Sequence, residues 1–369
     1  MKRKDIYFFI GTTAELIKLA PVIKELDKRG ANFKIIASAQ NSLQFNELKF
    51  FMGKQSVYYT LGVKPFKLPN FYFRFVVWMI KAVGNFFLYF RNEFKGTDKR
   101  SSFFIVHGDT VSSLIGALVA KVHGIRLVHI ESGLRSFDFF EPFPEEICRF
   151  IVSKLADIHF CPNSWAVNNL SKTSSMKINT HNNTLIETVS ITLKNTKKAD
   201  FKPIQKRKYF VLVLHRQEHI LFKKNLTKNV LNIFAEYANK DLVCVLVLHK
   251  LTEKFLRKEK LIDKLRKNKN IILIPRFPYT EFIHLMEDAE FIATDGGSNQ
   301  EESYYLGKPC LILRNVTERT EGLGENTLLS HGDENIIHNF IQNYKKYKRK
   351  QIKYKIRPSK IIVDYLIKN

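Results

Sequence analysis

Residues 103–135 read FFIVHGDTVSSLIGALVAKVHGIRLVHIESGLR, and their pattern decides the fold class. Phe103–Val106 and Leu127–Ile130 are short apolar runs rich in β-branched and aromatic residues, as expected of strands buried on both faces of a sheet. Val111–His123 between them is a helical pattern of small residues that ends at Gly124. Strand, turn, helix and strand in this order make a βαβ unit and hence a parallel sheet. In such sheets ligands sit at the carboxyl ends of the strands. The segments His107-Gly108-Asp109-Thr110 and Glu131-Ser132-Gly133-Leu134-Arg135, which follow the two strands, are therefore the first places to look for chemistry.

The same alternation extends in both directions. Ile6–Ile10 reads as a strand, Gly11-Thr12-Thr13 as a turn, Glu15–Arg29 as a helix ending at Gly30, and Phe33–Ala37 and Ile158–Cys161 as further strands. A polar stretch, Lys194–Lys208, reads as a linker. A second series follows with strands at Phe210–Leu214, Leu242–Leu248, Ile271–Ile274, Phe291–Ala293 and Cys310–Leu313. Gly307 and Pro309 stop the helix before the last of these. The expected fold is α/β with two similar-sized domains, which suits a chain of 369 residues.

Composition narrows the function classes. A content of 45% hydrophobic and 26% charged residues excludes a disordered or collagen-like chain. The 60 Lys and Arg against 35 Asp and Glu leave a formal charge of +25, which points to nucleic acid, an anionic membrane or an acidic small substrate. No helix-turn-helix, RNP or finger pattern accompanies the charge, so nucleic acid is not the expected partner. The four cysteines lack zinc-ligand spacing and read as small core hydrophobes. The apolar run after the basic N-terminus is too short for a signal sequence, which predicts a cytoplasmic chain.

Two segments depart from the α/β plan. Residues 71–90, FYFRFVVWMIKAVGNFFLYF, form a helical pattern with Arg74, Lys81, Asn85 and, just beyond, Asn92 on one stripe and apolar residues elsewhere. Arg74 and Lys81 argue against a membrane span. Burial between a sheet and a partner subunit, and a position in a membrane interface, both remain open. Lys345–Lys360 holds nine Lys or Arg and no acid, as a solvated face or a site for anionic lipid headgroups would.

Carboxylates recur at strand ends. Asp109, Glu131 and Glu145, the last within Pro142-Phe143-Pro144-Glu145-Glu146, could converge for acid/base work. In the second half Thr294-Asp295-Gly296-Gly297-Ser298 opens a helix. Glycines there let a phosphate approach, and the helix start offers free N–H groups. Asp295 reads alternatively as the N-cap of that helix, and Glu302 in its first turns suits sugar hydroxyls. Walker, dinucleotide-fingerprint, zincin and hydrolase-elbow motifs are absent from the sequence.

In combination these segments resemble the UDP-N-acetylglucosamine 2-epimerase family. The matching stretches are GTTAELIKLAPVI at 11–23, HGDTVSSLIGALVA at 107–120, HIESGLRSFDFFEPFPEEICR at 129–149, LADIHFCPNSWAVNNL at 155–170, NNTLIET at 182–188, HRQEH at 215–219 and TDGGSNQEESYYLGKPCLILRNVTERTEG at 294–322. The resemblance implies two Rossmann-like domains facing across a cleft, GT-B-like, over residues 1–190 and 191–355. A terminal helix over 356–369 would pack back on the first domain. It implies UDP elimination through a 2-acetamidoglucal, with Asp109, Glu131 and Glu145 as acid/base groups and His215 near the phosphates. Lys18, Arg135, Gly297, Ser298, Glu302 and Arg319 would bind the substrate and its UDP. It implies no metal or redox cofactor, a homodimer, and a role in bacterial surface polysaccharide supply, with peripheral contact to an anionic membrane as a further expectation.

Departures from the family pattern are specific. Thr13 stands where the family has an arginine, and a hydroxyl cannot replace a guanidinium as a phosphate clamp. Gln217 replaces an arginine, Gly296 and Ser298 reorder the usual Ser-Gly-Gly, and Gln40-Asn41 replaces a glutamine-histidine pair. The missing arginine, the charge and the 71–90 helix motivate an alternative, a membrane-associated GT-B glycosyltransferase using a UDP-sugar.

Overall fold

The computed structural model describes residues 5–38, 40, 58–60, 84–198, 204, 207–216, 219–220 and 223–369. The apolar runs form parallel strands throughout. The first sheet has seven: β1 (Ile6–Ile10), β2 (Phe33–Ala37), β3 (Tyr58–Thr60), β4 (Phe103–His107), β5 (Arg126–Ile130), β6 (Ile158–Cys161) and β7 (Met176–Asn179), in the order β3-β2-β1-β4-β5-β6-β7. The second has six: β8 (Tyr209–Val213), β9 (Val243–Leu248), β10 (Ile271–Pro275), β11 (Ile292–Thr294), β12 (Cys310–Ile312) and β13 (Thr327–Leu329), in the order β10-β9-β8-β11-β12-β13. The strand order of each sheet reverses once, between β1 and β4 and between β8 and β11. The crevice at such a switch point is where a doubly wound sheet binds its ligand.

The chain divides into two units. One comprises residues 1–135, 143–188 and 355–369, the other 136–142 and 189–354. This division differs from boundaries at 190 and 355 chiefly in Ser136–Pro142, which belongs with the second unit. Glu141 explains the assignment: it accepts hydrogen bonds from Lys223 Nζ at 3.1 Å and from Asn315 N at 3.2 Å. The Pro358–Lys368 helix packs on the first unit through Ile362, Val363 and Leu366, and Tyr365 lies against Phe103 and Phe160. Buried Glu187 caps it, accepting from Ser359 N at 2.7 Å and Arg357 Nε at 3.0 Å.

Several boundaries shift for local reasons. The first helix spans Thr13–Lys28 rather than starting at Glu15, because Thr12 and Glu15 form a capping box. The helix Leu185–Asn195 runs into the stretch read as a linker. Strands β3, β7 and β13 are additional; they are edge strands of three or four residues and carry little pattern.

Phenylalanine, 31 residues of the chain, builds much of both cores. In the first unit Phe9 and Phe104 meet Phe86, Phe90 and Phe94, with ring centroids 5.1 Å apart for Phe9–Phe86 and 5.2 Å for Phe90–Phe104. Phe86 and Phe90 come from the helix at 84–93 and are fully buried. Over this part the helix covers the chain's own sheet, so neither a partner subunit nor a membrane is needed to bury those rings. Arg74, Lys81 and the rest of residues 71–83 lie outside the described residues. In the second unit Phe210 stacks on Phe291 at 4.7 Å and Phe340 closes on the latter at 5.6 Å. All four cysteines are free and buried. Among the described residues no helix is long and apolar enough to cross a membrane.

Candidate active site

The first unit gathers its polar residues at the β1/β4 switch point. Asp109 follows β4, and Glu131 follows the adjacent β5. Glu131 has φ +61°, a left-handed conformation that costs an ordinary residue about 1–3 kcal/mol. Two backbone bonds hold the turn: Gly108 N donates to Ile130 O and Ser132 N to Phe160 O, each at 3.0 Å. Gly133 next to it must be glycine, since a Cβ there would lie 2.1 Å from Ala166 O.

The Glu131 carboxylate is buried and paired. Lys18 Nζ donates to Oε2 at 2.6 Å, Asn183 Nδ2 donates to the same oxygen, and His107 Nε2 lies 4.0 Å away. Lys18 projects from the first helix, itself anchored by Glu15. The latter accepts from Gly11 N at 2.7 Å, Thr12 N at 2.6 Å and Thr110 Oγ1 at 2.7 Å. Burial pushes the Glu15 carboxyl up to about 6 against these bonds. Thr13 is the first residue of this helix and is buried.

Asp109 belongs to a second network. Arg149, from the Glu145–Leu155 helix and 1% exposed, donates to Asp109 through Nη2 and to Glu146 through Nη1. Arg135 Nε donates to the other oxygen of Glu146, and its guanidinium lies 5.3 Å from the Phe150 ring centre. Arg135, expected at the substrate, is thus engaged by Glu146. Glu145 opens the same helix and is partly exposed. Burial raises the Cys148 thiol to about 12, and the charges of Asp109 and Glu145 add to the effect.

The second unit gathers its polar residues at the β8/β11 switch point. Asp295 does not cap the helix that follows; Gly296 is the N-cap and supplies no side chain. The fully buried Asp295 carboxylate instead accepts from His215 N at 3.0 Å and Arg216 N at 2.9 Å, and lies 3.3 Å from His219 Nδ1. Burial pushes its carboxyl up, but the charge on His215 and bonds from His215 and His219 outweigh it and hold it well below the usual range. His215 Nδ1 is 3.2 Å from Asp295 Oδ1, and its ring stacks on His249 at 4.8 Å. Asp295 therefore orients the histidine.

Gly297 is the first residue of the helix Gly297–Leu306, and Ser298 follows, partly exposed. A Cβ at Gly297 would lie 2.6 Å from Glu318 Oε1 and 2.8 Å from Arg319 Nε. The glycine thus lets the helix start, with its free N–H groups, sit against a buried ionic cluster. In that cluster Arg319 Nη1 pairs with Glu301 Oε1 at 2.7 Å and Arg314 Nη1 with Glu318 Oε2 at 3.0 Å. Glu302 is buried and accepts from Asn299 Nδ2 at 2.9 Å. Burial, and then the Glu302 charge, push the Tyr279 phenol well up.

Of the sequence candidates, Lys18, Asp109, Glu131, Glu145 and Arg135 thus fall in the first unit. His215, Gly297, Ser298, Glu302 and Arg319 fall in the second. Sequence reasoning missed Arg149, Asn183, Glu146, Glu301, Glu318 and the orienting role of Asp295. The Pro-Glu-Glu run pointed at Glu146 but could not tell it from Glu145.

The model of a family described as UDP-N-acetylglucosamine 2-epimerase matches residues 81–358. A UDP-N-acetylglucosamine 2-epimerase of Methanococcus maripaludis is 34% identical over 349 residues, covering 90% of this chain and 89% of its own. One from Methanocaldococcus jannaschii is 32% identical over 340 residues, covering 89% of each. The solved UDP-GlcNAc 2-epimerase of Neisseria meningitidis bound to UDP-GlcNAc superposes with a TM-score of 0.82 at 30% identity, over 100% of both chains. Together with two α/β units carrying polar clusters at their switch points, these likenesses place the chain in the UDP-N-acetylglucosamine 2-epimerase family.

Proposed function

We propose that this protein interconverts UDP-N-acetylglucosamine and UDP-N-acetylmannosamine. A carboxylate takes the C2 proton, the electron pair left behind forms the C1=C2 double bond, and the C1–O bond breaks as UDP departs. Return of a proton to the opposite face of C2 and of UDP to C1 completes the inversion. In this reading Asp109, Glu131 and Glu145 are the acid/base groups, and His215, Gly297, Ser298, Glu302 and Arg319 serve UDP. Lys18 holds Glu131 in place and Arg135 holds Glu146.

The observation that carries the reading is the placing of Asp109 and Glu131 at the ends of adjacent strands, each held by a buried cation. Anionic bases positioned in this way suit proton abstraction. A glycosyltransferase needs no such pair for C2 chemistry, and the epimerase relatives favour the isomerase. Incubation with UDP-N-acetylglucosamine alone should yield UDP-N-acetylmannosamine by proton NMR, or free N-acetylmannosamine plus UDP if water intercepts the glycal. UDP release only on addition of a lipid acceptor would overturn the reading.

A homodimer and contact with anionic lipid complete the proposal. Exposed lysines at 345, 346, 348, 350, 353 and 355 support the latter. Each such charge near an acidic bilayer contributes about 1 kcal/mol. The protein should float with phosphatidylserine liposomes at low salt and leave them at high salt. Protein that stays behind at both would refute lipid contact.

A further inference from the structure

Two histidines and two serines outside the proposed chemistry stand in line behind the carboxylate loops. The carbonyl of Gly108 lies 2.8 Å from His129 Nε2. Ser132 Oγ is 2.9 Å from His129 Nδ1 and 2.8 Å from His159 Nδ1. Ser175 Oγ is 2.8 Å from His159 Nε2. His129, Ser132 and His159 are all fully buried.

The direction of the bonds from Gly108 to His159 follows from one end. A carbonyl only accepts, so His129 Nε2 carries a proton. Burial pushes His129 down to about 4 and His159 down to about 3, so each ring is neutral and has one N–H. The charges felt by His129 are those of His107, Arg149 and Asp109; those felt by His159 come from His129, Lys177 and Asp157. His129 Nδ1 is then bare and accepts the single Ser132 proton. Ser132 must in turn accept from His159 Nδ1–H, which leaves His159 Nε2 bare. Ser175 has two acceptors in reach, His159 Nε2 at 2.8 Å and Thr173 Oγ1 at 3.0 Å, and its single proton serves one of them at a time.

The sequence positions give this chain its meaning. Gly108 precedes Asp109, and His129 and Ser132 flank Glu131. We propose that the Gly108–His129–Ser132–His159–Ser175 relay is a positioning device that sets the spacing of Asp109 and Glu131 for C2 proton transfer. The proposal rests on the epimerase reading above. His129, Ser132 and His159 are positioning residues in it, since they act through the two loops and not on substrate.

The test has two arms. In nitrogen-15 histidine spectra of the intact protein, His129 should be the Nε2–H tautomer and His159 the Nδ1–H tautomer, both unchanged between pH 5.5 and 8. Ser132→Ala should release both and slow C2 exchange about 10–100-fold, the scale of a misplaced reacting group. UDP affinity and KM should stay within about twofold in that variant, and Ser132→Thr, which keeps the hydroxyl, should recover most of the rate. The opposite tautomers, an unchanged rate in Ser132→Ala, or a loss that tracks UDP affinity would overturn the proposal. The derived tautomers together with no C2 exchange in the unmodified enzyme would instead sink the epimerase reading, and the positioning role with it.

Discussion

Glu131→Gln is expected to slow C2 proton transfer by about 10²–10⁴-fold, the usual worth of a positioned general acid or base. The amide keeps the size of the side chain and its oxygen still accepts from Lys18 and Asn183, so the site need not collapse. What disappears is the negative charge that can take a proton. UDP binding in the second unit should survive, because none of the groups assigned to it touches Glu131. Turnover by NMR and UDP binding by calorimetry separate the two effects. A variant that turns over at the parent rate would remove Glu131 from the chemistry. One that loses both turnover and UDP affinity would show a folding defect, traced to the unpaired charge of Lys18, 6% exposed.

Arg149→Leu carries the second large effect, on stability first. Its guanidinium, 1% exposed, joins Asp109 to Glu146, whose own carboxylate is fully buried. Removing one partner of a buried ion network costs about 3–5 kcal/mol, since the remaining charges are left without compensation. For a unit of this size each kcal/mol lowers the melting temperature by about 2–4 °C, so a fall on the order of 10 °C is expected. Arg149→Lys should recover only part of it, because an ammonium cannot serve two carboxylates through a planar fork. Calorimetry of the three proteins decides the matter. A melting temperature within 2 °C of the parent, on the order of 0.5–1 kcal/mol, would mean that the network contributes little.

The parts of this site that were legible in the sequence are those fixed by local pattern. The strands announce themselves as short apolar runs, and the carboxylates that follow β4 and β5 inherit their place from the strand ends. Gly296 and Gly297 mark the close approach at the second switch point in the same way. What was not legible depends on distant partners. Arg149 reads as an ordinary helix arginine until Asp109, forty residues away, is seen against it. Asp295 sits where an N-cap belongs, and only the return of His215, Arg216 and His219 to the same crevice shows its other use. Residues 71–90 read as a membrane or partner surface because they are apolar around most of the helix circumference. From residue 84 on, where the structure describes them, the aromatic residues of β1 and β4 receive Phe86 and Phe90.

The charge of +25 is not explained by either cluster. In both, buried cations are matched by carboxylates: Lys18 with Glu131, Arg149 with Asp109 and Glu146, Arg319 with Glu301. The excess lies elsewhere, notably in the exposed lysines of the Lys345–Lys360 stretch.

The central claim is that carboxylates of the first unit break the C2–H bond of a UDP-N-acetylhexosamine. Incubation with UDP-N-acetylglucosamine in D₂O measures that bond directly. The account predicts deuterium at C2 of the sugar nucleotide or of the released hexosamine, and little or none with Glu131→Gln. UDP-N-acetylglucosamine that binds yet keeps its C2 proton indefinitely would contradict it.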